Sequence, residues 1–223
     1  AIGGPYDAYQ WYLDGDIISS ETQPTITANT TGAYKVEVQN GVNYSLQLDG
    51  ENDYIDLGVG PFLGEFSKLT IMTWIKPAVV SGVVENGNIF SVGNETHWLK
   101  IKDQKANFGI SGAGNEVSSV TTIQPSEWVH VTGVYTGSEV QIYINGNLES
   151  TSVLNGSYND TSLPILIGYE PGSNEYYEGL IDELSIWGEA LTGEQIQNYI
   201  DCPPTGSETG IINCWKLEEE GQA

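Results

Sequence analysis

The chain has 223 residues, of which 7 are Lys or Arg and 30 are Asp or Glu, so its formal net charge is −23. Such an acidic chain repels nucleic-acid phosphates, which excludes electrostatic binding to DNA or RNA. It contains no apolar run long enough to cross a bilayer, so we expect no membrane insertion. The 13 Tyr and 6 Trp residues indicate a folded chain rather than an acidic disordered tail.

The first 42 residues are predicted to form their own short strands. These are Tyr9–Gly15, Thr25–Ala28 and Thr31–Gln39. The segments "YQWYLDG" and "TGAYKVEV" resemble the central strands of immunoglobulin-like modules in bacterial surface proteins. In those modules a Trp on an inner strand faces a Tyr that follows a Thr-Gly turn. We therefore expect residues 1–42 to be a partial Ig-like β module, either truncated or a small sheet packed on its neighbour.

From residue 43 onwards the sequence reads as a longer series of short strands separated by Gly, Asn, Asp and Ser. The predicted strands are Ser45–Asp49, Asp53–Gly58, Leu69–Pro77, Ile89–Gly93, His97–Lys102, Ala106–Ser111, Glu127–Tyr135, Val140–Leu148, Leu163–Tyr169 and Tyr177–Trp187. Asn145-Gly146 is a two-residue hairpin signal. This pattern predicts an all-β fold, in which two antiparallel sheets form a jelly-roll sandwich.

One short helix is predicted after these strands. Thr192 and Gln195 have the spacing of a capping box, with Thr at the cap and Gln three residues later. The apolar residues of this helix, Ile196, Tyr199 and Ile200, should then face the sandwich.

Four motifs in this order resemble the laminin G-like, concanavalin A-like jelly-roll modules of secreted and cell-surface proteins. They are "LQLDGENDYIDLG", "LTIMTWIKP", "EWVHVTGVYTGSEVQIYINGNLE" and "YEGLIDELSIWGEALTGEQIQNYI", within residues 44–200. We therefore assign residues 43–223 to one such module. Members often begin with a strand that resembles Gly210–Glu219, which here comes last. This segment either closes the sandwich or opens a next repeat.

The two cysteines, Cys202 and Cys214, enclose a short loop in an otherwise cysteine-free chain. We expect a disulfide between them, with two thiols as the alternative. The bridge would pin residues 201–223 and indicate an oxidising compartment, outside the cell or at its surface. No basic-then-apolar segment follows Ala1, so we expect a mature or excised piece of a larger parent protein with neighbouring domains.

Asp182 is the first candidate for a metal ligand. Strict alternation places it on one face with Leu180, Leu184 and Ile186. A carboxylate among apolar side chains needs a cation or a hydrogen-bond cluster, because an unpaired buried carboxylate costs several kcal/mol.

The loop from Asp49 to Asp53 offers the oxygen ligands that Ca²⁺ prefers. In the family that the chain resembles, a structural calcium commonly lies between this loop and the Asp of the "IDE" strand. The candidate calcium ligands are Asp182, Asp49, Asn52 and Asp53. In the alternative, Asp182 caps backbone amides and the loop is an ordinary Asx turn.

Exposed aromatics are candidates for a sugar platform. Leu99 and Ile101 alternate with Trp98, which therefore faces outward. Three tyrosines, Tyr158, Tyr176 and Tyr177, lie in loops rich in Asn, Asp and Glu. The candidate ligand-binding residues are Trp98, Tyr158, Tyr176 and Tyr177. In the alternative, Trp98 packs under a loop or against the N-terminal module. The tryptophans expected in the core are Trp74, Trp128 and Trp187.

Catalytic motifs are missing from the sequence. The Glu-x-Asp-x-x-Glu spacing of sandwich-fold glycosidases does not occur, and His130 alternates within a strand, which favours a packed role. We therefore expect no enzyme. The predicted function is a non-catalytic extracellular binding or adhesion module that is stabilised by calcium and binds a glycan or another cell-surface ligand. The alternative is a structural spacer that binds only calcium.

Overall fold

A computed structural model describes residues 8–13, 16–18, 34–39, 45–59, 67–79, 84–93, 96–110, 116–154 and 163–215. These residues form short antiparallel strands and one helix. None of the helices in this part of the chain is long and apolar enough to span a bilayer.

The N-terminal residues form a separate three-stranded sheet in the order β2-β1-β3. Its strands are β1 (Ala8–Leu13), β2 (Asp16–Ile18) and β3 (Tyr34–Gln39). Trp11 on β1 is the register partner of Val36 on β3. This agrees with two of the predicted strands, whereas Thr25–Ala28 lies outside the described residues. The Ig-like character of this sheet stays a prediction.

All the remaining strands but two form the two sheets of the predicted jelly-roll sandwich. The six-stranded sheet runs β10 (Glu116–Ser118), β9 (Lys105–Ile110), β8 (His97–Lys102), β7 (Gly87–Val92), β14 (Ile165–Ile167) and β5 (Ile55–Asp56). The seven-stranded sheet runs β13 (Asn147–Val153), β12 (Glu139–Ile144), β11 (Val129–Tyr135), β6 (Leu69–Pro77), β17 (Glu178–Trp187) and β18 (Ile211–Trp215), and β4 (Leu46–Asp49) also pairs with β17. The small hairpin β15 (Tyr169–Glu170) and β16 (Glu175–Tyr176) connects β14 to β17.

The inward side chains of both sheets form one apolar core. Ile71 and Val131 from one sheet and Leu99 and Phe108 from the other are fully buried in it. The sheets approach so closely that a Cβ added at Gly133 would lie 2.8 Å from Cε2 of Phe108. Glycine at this position therefore lets the Phe108 ring fill the space between the sheets.

Helix α1 (Gly193–Asp201) packs on side chains of the seven-stranded sheet. The predicted capping box is confirmed, because the Thr192 side chain accepts from the backbone N–H of Gln195, whose side chain accepts from Thr192 N–H. Ile196 is buried in a second cluster with Met72 and Trp187.

A β-bulge in β17 changes the side-chain alternation that the sequence predicts. The register of β17 against β6 shifts between Asp182 and Ser185, and Glu183 has a φ of 50°. As a result, Leu184 and Ile186 lie in the core. The expectation that they share the face of Asp182 is wrong, because an extra residue in one strand reverses the faces that follow it.

The C-terminal strand β18 pairs with β17 at the edge of the seven-stranded sheet. This pairing favours the alternative in which the segment closes the sandwich. The expected disulfide is absent, since the structure shows no sulfur–sulfur bond between Cys202 and Cys214. Cys202 is the exposed C-cap of α1, whereas Cys214 lies within β18 opposite Ser185. Sequence proximity does not guarantee the side-chain geometry that a disulfide requires.

Candidate functional site

Trp98 lies on the outer face of the six-stranded sheet, flat against the neighbouring strand. Leu99 and Ile101 are buried, so alternation along β8 turns Trp98 outward, as predicted. Its register partner is Gly109, where an added Cβ would lie 2.7 Å from ring atom Cη2 and closer to two others. The indole Nε1 donates to Oδ1 of Asn107 at 2.6 Å. The glycine and this hydrogen bond therefore hold one face of the half-buried ring against the sheet.

Two polar links connect Trp98 to the β15–β16 hairpin. Ser91 is the register partner of Trp98, and its hydroxyl donates to the carbonyl oxygen of Tyr169 at 2.7 Å. Lys100 Nζ lies 5.5 Å from the Trp98 ring centroid and 3.5 Å from Oε2 of Glu175. The hairpin therefore lies beside the indole on the same side of the sheet.

The hairpin carries two tyrosines, and a third, which precedes β5, lies beside them. The rings of Tyr169 and Tyr176 stack with centroids 4.2 Å apart, and Tyr54 lies 5.2 Å from Tyr169. The buried Glu170 carboxylate accepts from the N–H groups of residues 172 and 173 at 2.9 and 2.6 Å, which fixes the turn. Desolvation and the Tyr169 hydroxyl raise the pKa of Tyr176. We call the surface of Trp98, Lys100, Tyr54, Tyr169 and Tyr176 the Trp98–Tyr176 face.

A small polar cavity adjoins this face. Its volume is about 150 Å³, and it is lined by Gly50, Ala78, Glu85, Asn86, Tyr176 and Glu178. Its carboxylates accept hydrogen bonds, and its amide group both accepts and donates them. Aromatic rings and hydrogen-bonding groups therefore adjoin each other at Tyr176.

A larger cavity, which we call the Trp74–Trp128 cavity, lies on the outer face of the other sheet. Its volume is about 440 Å³, and it is lined by Ser45, Trp74, Trp128, Leu180, Asp182, Glu183 and Ile200. The ring of Trp74 lies edge-on to His130, with centroids 5.3 Å apart. Burial lowers the pKa of His130 to about 3, so this imidazole is neutral near pH 7, in agreement with its predicted packed role.

Only one of the three tryptophans expected in the core is fully buried. Trp187 is 0% exposed, whereas Trp128 is 42% exposed and Trp74 is half-buried on the outer face. Trp128 precedes the first residue of β11, Val129, so the alternation of the strand does not apply to it. The prediction was wrong for Trp128 because it extended the strand beyond its N-terminal end.

A family model of the concanavalin A-like lectin/glucanases superfamily matches residues 49–197. The chain belongs to this superfamily. Among curated proteins, human pappalysin-1 is 25% identical over 166 residues, which cover 64% of this chain and 10% of pappalysin-1. The chain thus spans about a tenth of the length of this relative.

Solved structures show the same fold at low sequence identity. A candidate carbohydrate-binding protein from Bacteroides ovatus is 17% identical with a TM-score of 0.65, over 90% of this chain and 60% of that one. Domain 4 of an extracellular arabinanase from Geobacillus stearothermophilus, solved with arabinotriose, is 21% identical with a TM-score of 0.56, over 69% and 75%. The CBM40 of a Ruminococcus gnavus sialidase, solved with sialyllactose, is 14% identical with a TM-score of 0.57, over 70% and 95%.

The predicted ligand-binding residues of this superfamily member separate into two groups. Trp98 and Tyr176 both belong to the Trp98–Tyr176 face. Tyr177 does not, because it is 1% exposed, and burial raises the pKa of its hydroxyl, which donates to the carbonyl oxygen of Leu180 at 3.3 Å. Neighbours in an extended chain point to opposite sides, so Tyr176 and Tyr177 cannot both face outward. Tyr158 lies outside the described residues.

The structure does not bring the predicted calcium ligands into one site. Asp49 is the register partner of Glu178, four residues before Asp182 on β17, which places the two aspartates about 13 Å apart along the strand. Oδ1 of Asp49 accepts from the N–H groups of Glu51 and Asn52 at 2.9 and 3.3 Å. These hydrogen bonds lower the pKa of Asp49. The loop is therefore the Asx turn of the alternative interpretation.

Asp182 has local partners instead. Its Oδ1 accepts from the N–H of Glu183 at 2.7 Å, while Asn52 and Asp53 are exposed. Within the described ranges, no group of three or more His, Cys, Asp or Glu side chains could hold a metal ion. The strand register therefore separates Asp182 from Asp49, and calcium binding by the predicted residues stays a prediction.

Proposed function

We propose that this chain is a non-catalytic carbohydrate-binding module and that a glycan binds to the Trp98–Tyr176 face. The observation that carries this proposal is the Trp98 ring, which lies against Gly109 beside a row of tyrosines. The superfamily and the fold are consistent with such a role, since its members include lectins.

The face combines the two groups that sugar recognition requires. Aromatic rings stack on the apolar faces of pyranose or furanose rings, and a few placed polar groups bind the hydroxyls. Lys100, Glu175 and the polar cavity beside Tyr176 supply those polar groups. The ion pair and the Glu170 turn hold them before a ligand arrives, which reduces the entropy lost on binding.

The proposal also covers the location of the module and its place in a larger protein. We place the module outside the cell or at its surface, as one domain of a larger protein, because the arabinanase whose domain 4 shares this fold is extracellular. The strongly acidic surface keeps such a domain soluble. Stabilisation by calcium stays a prediction, and melting curves with EGTA and with added Ca²⁺ test it.

A glycan array with the purified chain, with and without calcium, tests the function. We expect binding to at least one glycan class, and Trp98→Ala and Tyr176→Ala should each weaken it by about 1 kcal/mol or more. Trp128→Ala is the matched control, because that indole lies on the other sheet. A folded chain that binds no glycan would reject this proposal in favour of a structural spacer.

A further inference from the structure

The register of the six-stranded sheet aligns outward-facing residues in a row across its strands. The row runs from Gly109 on β9 through Trp98 on β8, Ser91 on β7 and Leu166 on β14 to Asp56 on β5. Neighbouring strands lie about 4.8 Å apart, so the row is about 14 Å long between Trp98 and Asp56. It ends at β5, which is the edge strand of this sheet.

Aromatic rings occupy three positions along this row. Trp98 is half-buried and lies towards one end. The stacked rings of Tyr169 and Tyr176 belong to the middle, because Ser91 donates a hydrogen bond to the carbonyl oxygen of Tyr169. Tyr54 directly precedes β5 at the other end, where its ring contacts Tyr169 and is 48% exposed. The aromatic surface therefore continues from β8 to the edge of the sheet.

The flank of the row along β8 is charged instead of aromatic. The outward residues that follow Trp98 on this strand are Lys100 and Lys102. They form ion pairs with Glu175 at 3.5 Å and with Glu116 at 3.0 Å. The surface on which a sugar can stack thus extends across the strands rather than along them.

From this arrangement we infer that the Trp98–Tyr176 face binds a linear, neutral oligosaccharide of at least three sugar units, which lies across the strands. Each aromatic position stacks on one sugar ring, so a single sugar fills only one of the three. The net charge of −23 repels anionic sugars, which favours a neutral chain. This inference rests on the proposed function and adds to it the length, charge and direction of the glycan.

Oligosaccharide ladders test the length of glycan that the face binds. Cello-, xylo- and manno-oligosaccharides of one to six units are titrated into the full chain, and their affinities are measured by isothermal titration calorimetry. In at least one ladder the three-unit member should bind at least about tenfold more tightly than the single sugar, because it contacts two further aromatic positions. A chain that binds glycans on the array but shows no such rise in any ladder would overturn this inference and leave the proposed function standing. Binding of no glycan at all would reject both.

Variants at the β5 end of the row locate the oligosaccharide. Tyr54→Ala should reduce the gain in affinity from one unit to three units at least about threefold, because one stacking position is lost. Tyr54→Phe keeps the ring and should keep the gain, and an equal loss in both variants would overturn the stacking role. Trp128→Ala, on the other sheet, should leave the ladder unchanged.

Folding of each variant is established by far-UV circular dichroism and a melting curve. Tyr54→Ala should remain folded, because about half of the side chain is already exposed, and Tyr54→Leu provides a milder change if Tyr54→Ala melts early. A folded Tyr54→Ala or Tyr54→Leu chain with an unchanged ladder would show that the glycan does not extend to β5, and the inference would fail.

Discussion

Replacing Gly109 by Ala should destabilise the chain only when Trp98 is present. The added Cβ would lie 2.7 Å from Cη2 of the indole and closer to Cε2 and Cζ2, whereas non-bonded carbons prefer about 3.5–4.0 Å. The ring must therefore move by about 1 Å or more, which breaks its hydrogen bond to Asn107. We expect a cost of about 2–3 kcal/mol, of which about 1 kcal/mol comes from the hydrogen bond and the rest from overpacking.

A double-mutant cycle separates this clash from other effects. Urea unfolding, followed by far-UV circular dichroism, is measured for wild type, Gly109→Ala, Trp98→Ala and the double variant. In the Trp98→Ala background the methyl group added at position 109 contacts no indole ring. The loss of unfolding free energy caused by Gly109→Ala should therefore fall to about 0.5 kcal/mol or less. The coupling energy should therefore be about 1.5 kcal/mol or more. Equal costs in both backgrounds would refute the placement of the indole on Gly109 and weaken the proposed glycan site.

Two further predictions concern the seven-stranded sheet and its helix. Trp187→Ala should lower the free energy of unfolding by about 3–5 kcal/mol, because the ring is fully buried. Trp128→Ala should lower it by about 1 kcal/mol or less, because that ring is partly exposed. Similar losses for both variants in urea unfolding would contradict the assigned burial. Thr192→Ala should cost about 1 kcal/mol, because it removes the acceptor for the Gln195 N–H. Glu194→Ala, in the same helical turn, is the control for Thr192→Ala, and an equal loss in both would contradict the capping role.

Local sequence signals predicted the elements well. Alternation in β8 correctly placed Leu99 in the core and Trp98 outside it. The Asn145-Gly146 pair forms the expected turn, with φ values of 48° and 76°, as a type I′ hairpin requires. The Thr192 capping box is present. Each of these features depends on residues close to one another in the chain, so local sequence is sufficient to predict it.

Features that depend on register or on distant contacts were not predictable. Strict alternation contains no signal for the bulge at Glu183, which moved Leu184 into the core. The separation of Asp49 from Asp182 follows from the pairing of β4 with β17, which local sequence does not specify. Tyr169 and Tyr54 were missed, since only the stacking of the folded hairpin brings them to Tyr176.

The two histidines should make the chain less stable in mild acid. Burial lowers the pKa of His97 from 6.5 to about 4 and that of His130 from 6.5 to about 3. The unfolded chain therefore binds more protons than the folded chain below pH 6.5, so stability falls as the pH falls through this range. Between about pH 7 and pH 5 each histidine should remove about 2 kcal/mol from the free energy of unfolding.

Urea unfolding at both pH values measures this loss, and NMR titration of the imidazole protons measures each pKa directly. In His130→Gln the loss between the two pH values should shrink by the share of one histidine, whatever the variant costs at pH 7, because glutamine takes up no proton. The carboxylates of Asp49 and Glu208, whose pKa values are lowered by backbone hydrogen bonds, act in the same direction but titrate at lower pH. An imidazole that titrates near 6.5 in the folded chain would show that the ring is solvated and that the packing around it has been assigned wrongly.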